Sequence, residues 1–363
     1  MEMKATLDVR LEHARRILRD CGSVCIGYSG GVDSVFLAKL ALDTLGAENV
    51  LAVTGLSAAY PAVQREVAAA CALQFGIPHL EVETHELADP RYAANPDNRC
   101  YYCKSELWPR LASVARERGL NVVLDGSNAD DVRDYRPGFA AATENGVRSP
   151  LLESGLTKHE IRELSREAGL PTWDQPASPC LSSRLPYGVA VTPLRLRQVE
   201  LAEAALRDLG FMEFRVRHHD DCMRLEFAPR ELDRAEHLAV GILSQLAALR
   251  LPRVVIDVEG YRRGALNEVL IQLTAASDTN RQSEPVLRTL PRHEAAGHHH
   301  DVCVVHGVDM VTAREFAPQL RANGFRYVTV DPVRLQRVPR QPRSQAMGQL
   351  ETLQPQTTRA DHV

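Results

Sequence analysis

The run Ser29-Gly30-Gly31-Val32-Asp33-Ser34 lies between a short apolar stretch, Val24-Cys25-Ile26-Gly27-Tyr28, and a helical-looking one, Val35-Phe36-Leu37-Ala38-Lys39-Leu40. That order is strand, glycine-rich turn, helix. Paired glycines let backbone N–H groups approach an anion closely, and the helix start adds the positive end of its dipole. Ser29 and Ser34 can bring hydroxyls to the same oxygens, and Asp33 stands where a carboxylate can hold a magnesium ion. The run has neither the Gly-Lys-Ser/Thr ending of the triphosphate P-loop nor the spacing of the dinucleotide fingerprint. A nucleotide phosphate cradle at the end of a strand therefore constrains everything that follows.

The segments after the cradle alternate. Strand-like runs at 50–54, 79–82 and 122–124 are separated by helical patterns at 62–75 and 105–117. Such alternation predicts an α/β fold with a doubly wound parallel sheet. Thr54 ends the second strand, and Asp125-Gly126-Ser127-Asn128-Ala129-Asp130-Asp131 places a turn at the carboxyl end of another. Ligands of open α/β sheets bind at such ends, so Thr54, Gly126 and Asp131 join Ser29, Gly30, Gly31, Asp33 and Ser34 as expected ATP-binding residues.

Around Pro186-Tyr187-Gly188 the pattern changes to helix (194–209), hairpin (214–217 and 223–227), helix (230–249) and strand (254–257), a small α+β domain. The expected organisation is a nucleotide domain over 1–185, a substrate or oligomerisation domain over 186–270, and an extension over 271–363 with disordered ends. Inside the extension, residues 324–331 loosely echo the strand ending at Asp257.

With 363 residues the chain is long enough for two domains with real cores. Its formal net charge of −4 gives no global attraction for nucleic acid. No apolar run reaches membrane-spanning length and the first residues lack a signal-peptide core, so a cytoplasmic protein without membrane or nucleic-acid partners is expected. In a reducing compartment its 8 cysteines favour metal binding or catalysis over disulfides. Cys100 and Cys103 form a C-x-x-C pair, and Cys180 stands in Ser178-Pro179-Cys180-Leu181-Ser182-Ser183-Arg184. Three thiolates are one short of a closed zinc site but suit a [4Fe–4S] cluster with one iron left open. Cys21, Cys25, Cys71 and Cys222 sit in apolar or strand contexts and read as packing residues.

The first motif resembles the PP-loop of the ATP pyrophosphatases, the adenine nucleotide alpha hydrolase-like fold. Over about residues 5–270 the chain resembles the LarE family of ATP-dependent sulfur transferases. The likeness is carried by Ser29 to Ser34, Val53-Thr54-Gly55-Leu56-Ser57 with Tyr60-Pro61, Asn98 to Lys104 and Asp125 to Asp131. Arg136-Pro137-Gly138, Ser149-Pro150-Leu151, Gly169 to Trp173, Pro179 to Arg184 and Glu259 to Gly264 complete it.

The resemblance implies a nucleotide substrate, pyridinium-3,5-biscarboxylic acid mononucleotide, whose carboxylates become thiocarboxylates. It also implies a place beside other proteins that build the nickel-pincer nucleotide cofactor of lactate racemase, and a homo-oligomer. A carboxylate is a poor electrophile, so ATP must first convert it to an acyl-adenylate, with magnesium at Asp33 neutralising the phosphates. A thiolate then displaces AMP. Cys180 matches the family's sulfur donor, which in some members gives up its own sulfur and in others works with a three-cysteine [4Fe–4S] cluster. With Cys100 and Cys103 present, the cluster version is expected here.

Arg184, Arg215, Arg217 and Arg262 are candidates for the substrate phosphate, because guanidinium binds phosphate bidentately. Glu200 and Glu226 could hold a second metal at an oligomer interface, although surface glutamates are ordinarily solvated. His298-His299-His300, with Cys303 and His306, reads as an adventitious nickel or zinc binder. Three other classes compete. A tRNA thiolation enzyme would need a basic surface, an ammonia-using amidating ligase would have no use for Cys180, and a regulatory nucleotide binder would not turn over.

Overall fold

The structure, a computed structural model, describes residues 2–133, 137–262, 302–305, 309–322 and 326–332. Arg136, Arg263, Gly264, His298 to His300, His306, Gly324 and Phe325 lie outside the described residues, as does the Cys303 side chain. The chain divides into two compact units, one of Met1–Ser183 with Ala190–Leu196 and one of Arg184–Val189 with Arg197–Val363.

In the first unit, helix α1 (Glu2–Cys21) leads into β1 (Val24–Gly27), α2 (Val32–Leu45), β2 (Val50–Leu56), α3 (Ala62–Phe75) and β3 (His79–Glu83). The short α4 (Pro90–Ala93) and the long α5 (Arg99–Glu117) precede β4 (Val122–Leu124). Three helices, α6 (Gly138–Glu144), α7 (Pro150–Glu153) and α8 (Lys158–Glu167), follow. The strands pair in parallel in the order β3-β2-β1-β4. This is the doubly wound α/β sheet the alternation predicts.

Strand residues sort strictly by parity, because successive side chains point to opposite faces. Val24, Ile26, Val50, Ala52 and Leu124 pack with α1, α2, α3 and the 151–170 segment. Cys25, Leu51, Val53 and Val123 pack on the other face with Trp108 and Leu111 of α5 and Ala141 and Ala142 of α6. Both faces are covered, which explains why the strands read as continuous apolar runs. The chain winds outward from β1 through β2 to β3 and then returns to place β4 on the other side of β1. The carboxyl ends of β1 and β4 therefore form the topological switch point, where open α/β sheets bind ligands.

In the second unit, the part of α9 (Pro193–Asp208) from Arg197 onward precedes β5 (Phe214–His218) and β6 (Cys222–Phe227). α10 (Leu232–His237), α11 (Ala239–Ala247) and β7 (Arg253–Asp257) follow, and the helix expected over 230–249 thus breaks at Leu238. Three more elements come from the region read as an extension: β8 (Val302–Val305), α12 (Met310–Ala322) and β9 (Tyr327–Val330). The sheet order is β5-β6-β7-β9-β8, with β9 antiparallel to β7 and parallel to β8. β9 falls in the 324–331 stretch that echoes the strand ending at Asp257, whereas the four residues of β8 carry too little periodicity to stand out in sequence. α12 is tied down by Arg314 Nε donating to Val258 O (2.9 Å) and by an Arg321–Glu259 ion pair.

One face of this second sheet is charged and buried. Arg217 pairs with Glu226 (2.9 Å), Glu226 with Arg224 (2.8 Å) and Arg224 with Asp257 (2.5 Å). The Arg224 guanidinium lies 3.5 Å from the centre of the Tyr327 ring on β9. Glu226 is therefore neither a solvated strand residue nor an open metal ligand, since its carboxylate is spent on two guanidinium groups. Glu200 is half-buried and accepts from Arg197 (3.0 Å). Among the described residues no helix is long and apolar enough to cross a membrane.

Candidate functional site

The Ser29–Ser34 loop is folded by its own hydroxyls. Ser29 N donates to Ser34 Oγ (3.1 Å), Ser34 Oγ donates to Gly31 O (3.1 Å), and the two serine oxygens lie 3.1 Å apart. Gly31 caps α2 without any side-chain bond, so no side-chain cap occupies the first N–H groups of that helix. Gly30 has φ +69°, and a Cβ on it would meet Ala68 Cβ at 2.8 Å and Gln64 Nε2 at 2.9 Å. Only glycine fits there, in conformation and in space. A Cβ on Gly126 would lie 3.0 Å from Ser34 N, which brings the loop after β4 directly against the start of α2. The two loops expected to share a cleft are thus in contact at the switch point.

Asp33 projects from the first turn of α2. Its Oδ2 accepts from Lys158 Nζ (2.5 Å), while its Oδ1 is buried and has no partner. A magnesium ion fits that open oxygen by ligand type. Lys158 begins α8 and its backbone N–H donates to Asp130 Oδ2 (2.9 Å), so Asp130 fixes the helix that supplies the cation. The sequence reading missed Lys158, which lies 125 residues from its partner.

Thr54 is buried and its hydroxyl donates to Tyr28 O (2.7 Å) and faces His79 Nε2 (2.8 Å), tying β2 to the end of β1. Burial lowers the His79 pKa, so the imidazole that meets this hydroxyl is neutral at pH 7. Asp131 is buried and accepts from Asn128 N (3.0 Å), which shapes the loop after β4.

Cys100 and Cys103 occupy the first turns of α5, and Cys180 precedes a 3-10 turn at Leu181–Arg184. The Cys180 segment is strapped in place at several points. Leu181 N donates to Ala59 O (2.8 Å), Arg99 Nη1 to Ser182 O (3.0 Å), and the Tyr92 and Ser182 hydroxyls lie 2.6 Å apart. Arg99 also binds Asn95, itself fully buried. Ser183 closes the turn through N–H and Oγ donation to Cys180 O (3.0 and 2.7 Å).

The three thiols act on one another electrostatically. Burial pushes the Cys103 thiol up to about 12, with Glu86, Cys180 and Cys100 pushing the same way against Lys104. Cys100 is exposed as a whole residue, yet protein crowds its sulfur. That crowding, followed by Cys180, raises its pKa. Glu86, also missed in the sequence, is buried with Oε1 accepting from Ser57 Oγ (2.5 Å) and Oε2 unpartnered. The donor types suit a cluster, but among the described residues no group of three His, Cys, Asp or Glu side chains is placed to hold a metal ion. As they stand, Cys100, Cys103 and Cys180 are neighbours and not a coordination shell.

In the second unit, Arg184 binds Glu203 through two bonds, Nε to Oε1 (2.9 Å) and Nη2 to Oε2 (3.1 Å), with both side chains at most 5% exposed. Burial raises the Glu203 pKa and Arg184 lowers it, and the net direction is down. Arg217 holds Glu226, as described above. Arg215 is half-buried, lies 5.0 Å from the Tyr261 ring centre and donates to Phe214 O (2.6 Å). Burial and then the neighbouring Arg184 charge lower its pKa, an environment that an added anion would relieve. Arg262 is half-buried beside Tyr261 in the chain.

The NAD synthase family profile matches residues 13–112. The chain is 45% identical over 266 residues to an uncharacterized protein of Synechocystis sp., covering 73% of this chain and 99% of that one. It is 35% identical over 273 residues to the pyridinium-3,5-bisthiocarboxylic acid mononucleotide synthase of Lactiplantibacillus plantarum, covering 75% of this chain and 99% of that enzyme. An NH(3)-dependent NAD(+) synthetase of Methanococcoides burtonii is 28% identical over 153 residues, 40% of this chain and 57% of that protein.

Proposed function

Because the chain belongs to the LarE family of ATP-dependent sulfur transferases, we propose that it thiolates pyridinium-3,5-biscarboxylic acid mononucleotide through acyl-adenylates, as a step in building the nickel-pincer nucleotide cofactor. One observation carries this reading beyond the family name. The connection between β2 and α3 bonds to both segments the reading invokes, which supports it: Tyr60 donates its hydroxyl to Ser29 O (3.1 Å) of the cradle, and the adjacent Ala59 O receives Leu181 N (2.8 Å) of the Cys180 segment. A sulfur-bearing side chain and a phosphate cradle thus hang from two consecutive residues.

In this mechanism the N–H groups at the start of α2 take the phosphates of ATP. Asp33 would hold magnesium, which supplies charge neutralisation when bound. A substrate carboxylate oxygen attacks the α-phosphorus and pyrophosphate leaves with both electrons of its P–O bond. Lys158, placed beside Asp33, adds a positive charge to the same side of the cradle. The Cys180 thiolate then attacks the acyl carbon, and AMP departs. Removal of the cysteine α-proton and cleavage of the Cβ–S bond release the thiocarboxylate and leave dehydroalanine. No step here passes through a cluster. Of the four arginines proposed for the substrate phosphate, Arg184, Arg215, Arg217 and Arg262, two are already paired with Glu203 and Glu226, and Arg215 is the one whose surroundings most favour an added anion.

The amidating-ligase reading has support in the NAD synthase profile over residues 13–112, but it gives Cys180 nothing to do. The test is to incubate the protein with ATP, magnesium and either the carboxylated pyridinium nucleotide or bulk tRNA. Mass spectrometry should find AMP, pyrophosphate and an oxygen-to-sulfur exchange on the nucleotide alone. Sulfur on tRNA, or an amide formed with ammonium, would replace this reading with a rival.

A further inference from the structure

Gln64 and Gln175 meet beside the phosphate cradle, and neither amide is fully used. Gln64 stands in the first turn of α3, is 3% exposed, and receives Gln175 Nε2 on its Oε1 (3.0 Å). Its own Nε2 is buried without a partner, as is Gln175 Oε1. The free Gln64 nitrogen sits over Gly30, at 2.9 Å from where a Cβ would be. Asp33 Oδ1, in the first turn of the helix that follows the same loop, is also buried and unpartnered. A buried donor left unpaired is costly, and one kept beside a ligand-binding loop is explained by a ligand that uses it.

Gln175 is itself held. Arg162 of α8 donates to Trp173 O (2.6 Å) and to Gln175 O (2.7 Å). Five residues further on the chain reaches Cys180. α8 therefore grips the Gln175 segment at Arg162 and Asp33 at Lys158.

We infer that Gln64 is a ligand of the ATP phosphates, and that its bond to Gln175 couples nucleotide occupancy to the segment carrying Cys180. The inference rests on the ATP-dependent reading given above. Two facing amides share one N–H···O bond whichever way they turn, so each keeps one spare end. An anion over Gly30 selects the orientation with the Gln64 nitrogen forward, which makes Gln175 the donor in the pair. Loading the cradle thereby fixes the Gln175 side chain from one end while Arg162 fixes its backbone from the other. Gln64 is a binding residue for the nucleotide, and Gln175 is a positioning residue for the sulfur step.

The test uses Gln64→Met and Gln175→Met in the full chain, with ATP and magnesium as the probe. By titration calorimetry Gln64→Met should bind ATP about ten- to a hundredfold more weakly, the loss of one bond to a charged group. Its melting temperature without nucleotide should change little, since loss of the unpaired Gln64 donor offsets the acceptor lost to Gln175 Nε2. Gln175→Met should slow sulfur transfer more than it slows ATP–pyrophosphate exchange. ATP affinity in Gln64→Met within twofold of wild type would overturn the inference, as would equal slowing of both half-reactions in Gln175→Met. A wild-type chain that does not bind ATP would overturn the ATP-dependent reading together with it.

Discussion

Gly126→Ala is the most exacting test of the nucleotide cradle's construction. The new methyl would lie 3.0 Å from Ser34 N, 3.2 Å from Asp33 C and 3.2 Å from Ser34 Cα, all of them backbone atoms. No flexible side chain can move aside, so either the loop after β4 or the first turn of α2 must shift by a few tenths of an ångström. Overpacking of this kind costs about 1–3 kcal/mol. For a domain of this size each kcal/mol lowers Tm by roughly 2–4 °C. The functional loss should exceed the structural one, because Ser34 N belongs to the helix start proposed to take the phosphates, and a displaced N–H to a charged group is worth about 1.5–3 kcal/mol. ATP affinity should therefore fall ten- to a hundredfold. Gly241→Ala is the control, since it lies inside α11 with nothing within 4 Å of its Cβ. The same substitution there should stabilise by about 0.5–1 kcal/mol and leave ATP binding alone. Calorimetry and thermal melts of the two variants decide the matter. If Gly126→Ala melts and binds like wild type, the loops after β1 and β4 do not meet as described.

Lys158→Met should change stability by less than about 1 kcal/mol, because the pair with Asp33 is partly exposed, yet reduce ATP–pyrophosphate exchange at least tenfold. Exchange at the wild-type rate would remove Lys158 from the site. Arg184→Met should destabilise by about 3–5 kcal/mol, measured by urea unfolding, because it strands the buried Glu203 carboxylate. The Glu203 pKa is lowered in the fold, so its contribution is complete above the unfolded value of about 4.3 and is lost as pH falls through the folded one. The wild type should thus show a stability slope below that pH which Arg184→Met lacks, and parallel slopes would contradict the assignment. Because the Cys103 thiol is pushed up to about 12, iodoacetamide should label it far more slowly at pH 8 than a free cysteine, as read by peptide mass spectrometry. Rapid labelling would mean that Cys103 is not crowded as described.

What the sequence exposed was local. The Ser29–Ser34 turn, the glycine after β4 and the C-x-x-C are each written within a few consecutive residues; the first two stand where strand-and-helix order placed them, whereas the C-x-x-C, expected just ahead of a helix over 105–117, lies in the first turns of α5. The unread partners are distant in the chain. Lys158 meets Asp33 across 125 residues, and Gln175 meets Gln64 across 111. Nothing in a lysine at the head of an amphipathic helix, or in a glutamine before a proline, marks such a partner. Glu226 was misleading for a related reason. Alternation along a strand tells which residues share a face, but whether that face is wet depends on what covers it. Here β9, from the 324–331 stretch that echoes the strand ending at Asp257, brings Tyr327 against Arg224, a cover that alternation along β6 does not reveal.

The central claim is that ATP activation and sulfur transfer are separate steps and that Cys180 serves only the second. It is tested most directly by comparing wild type with Cys180→Ser, given ATP, magnesium and the carboxylated pyridinium nucleotide, in two assays on the same preparation. The account predicts that wild type forms AMP, pyrophosphate and thiocarboxylate, whereas Cys180→Ser keeps substrate-dependent ATP–pyrophosphate exchange and forms no thiocarboxylate. Thiocarboxylate from Cys180→Ser, or loss of exchange in that variant while its fold and ATP binding persist, would contradict it.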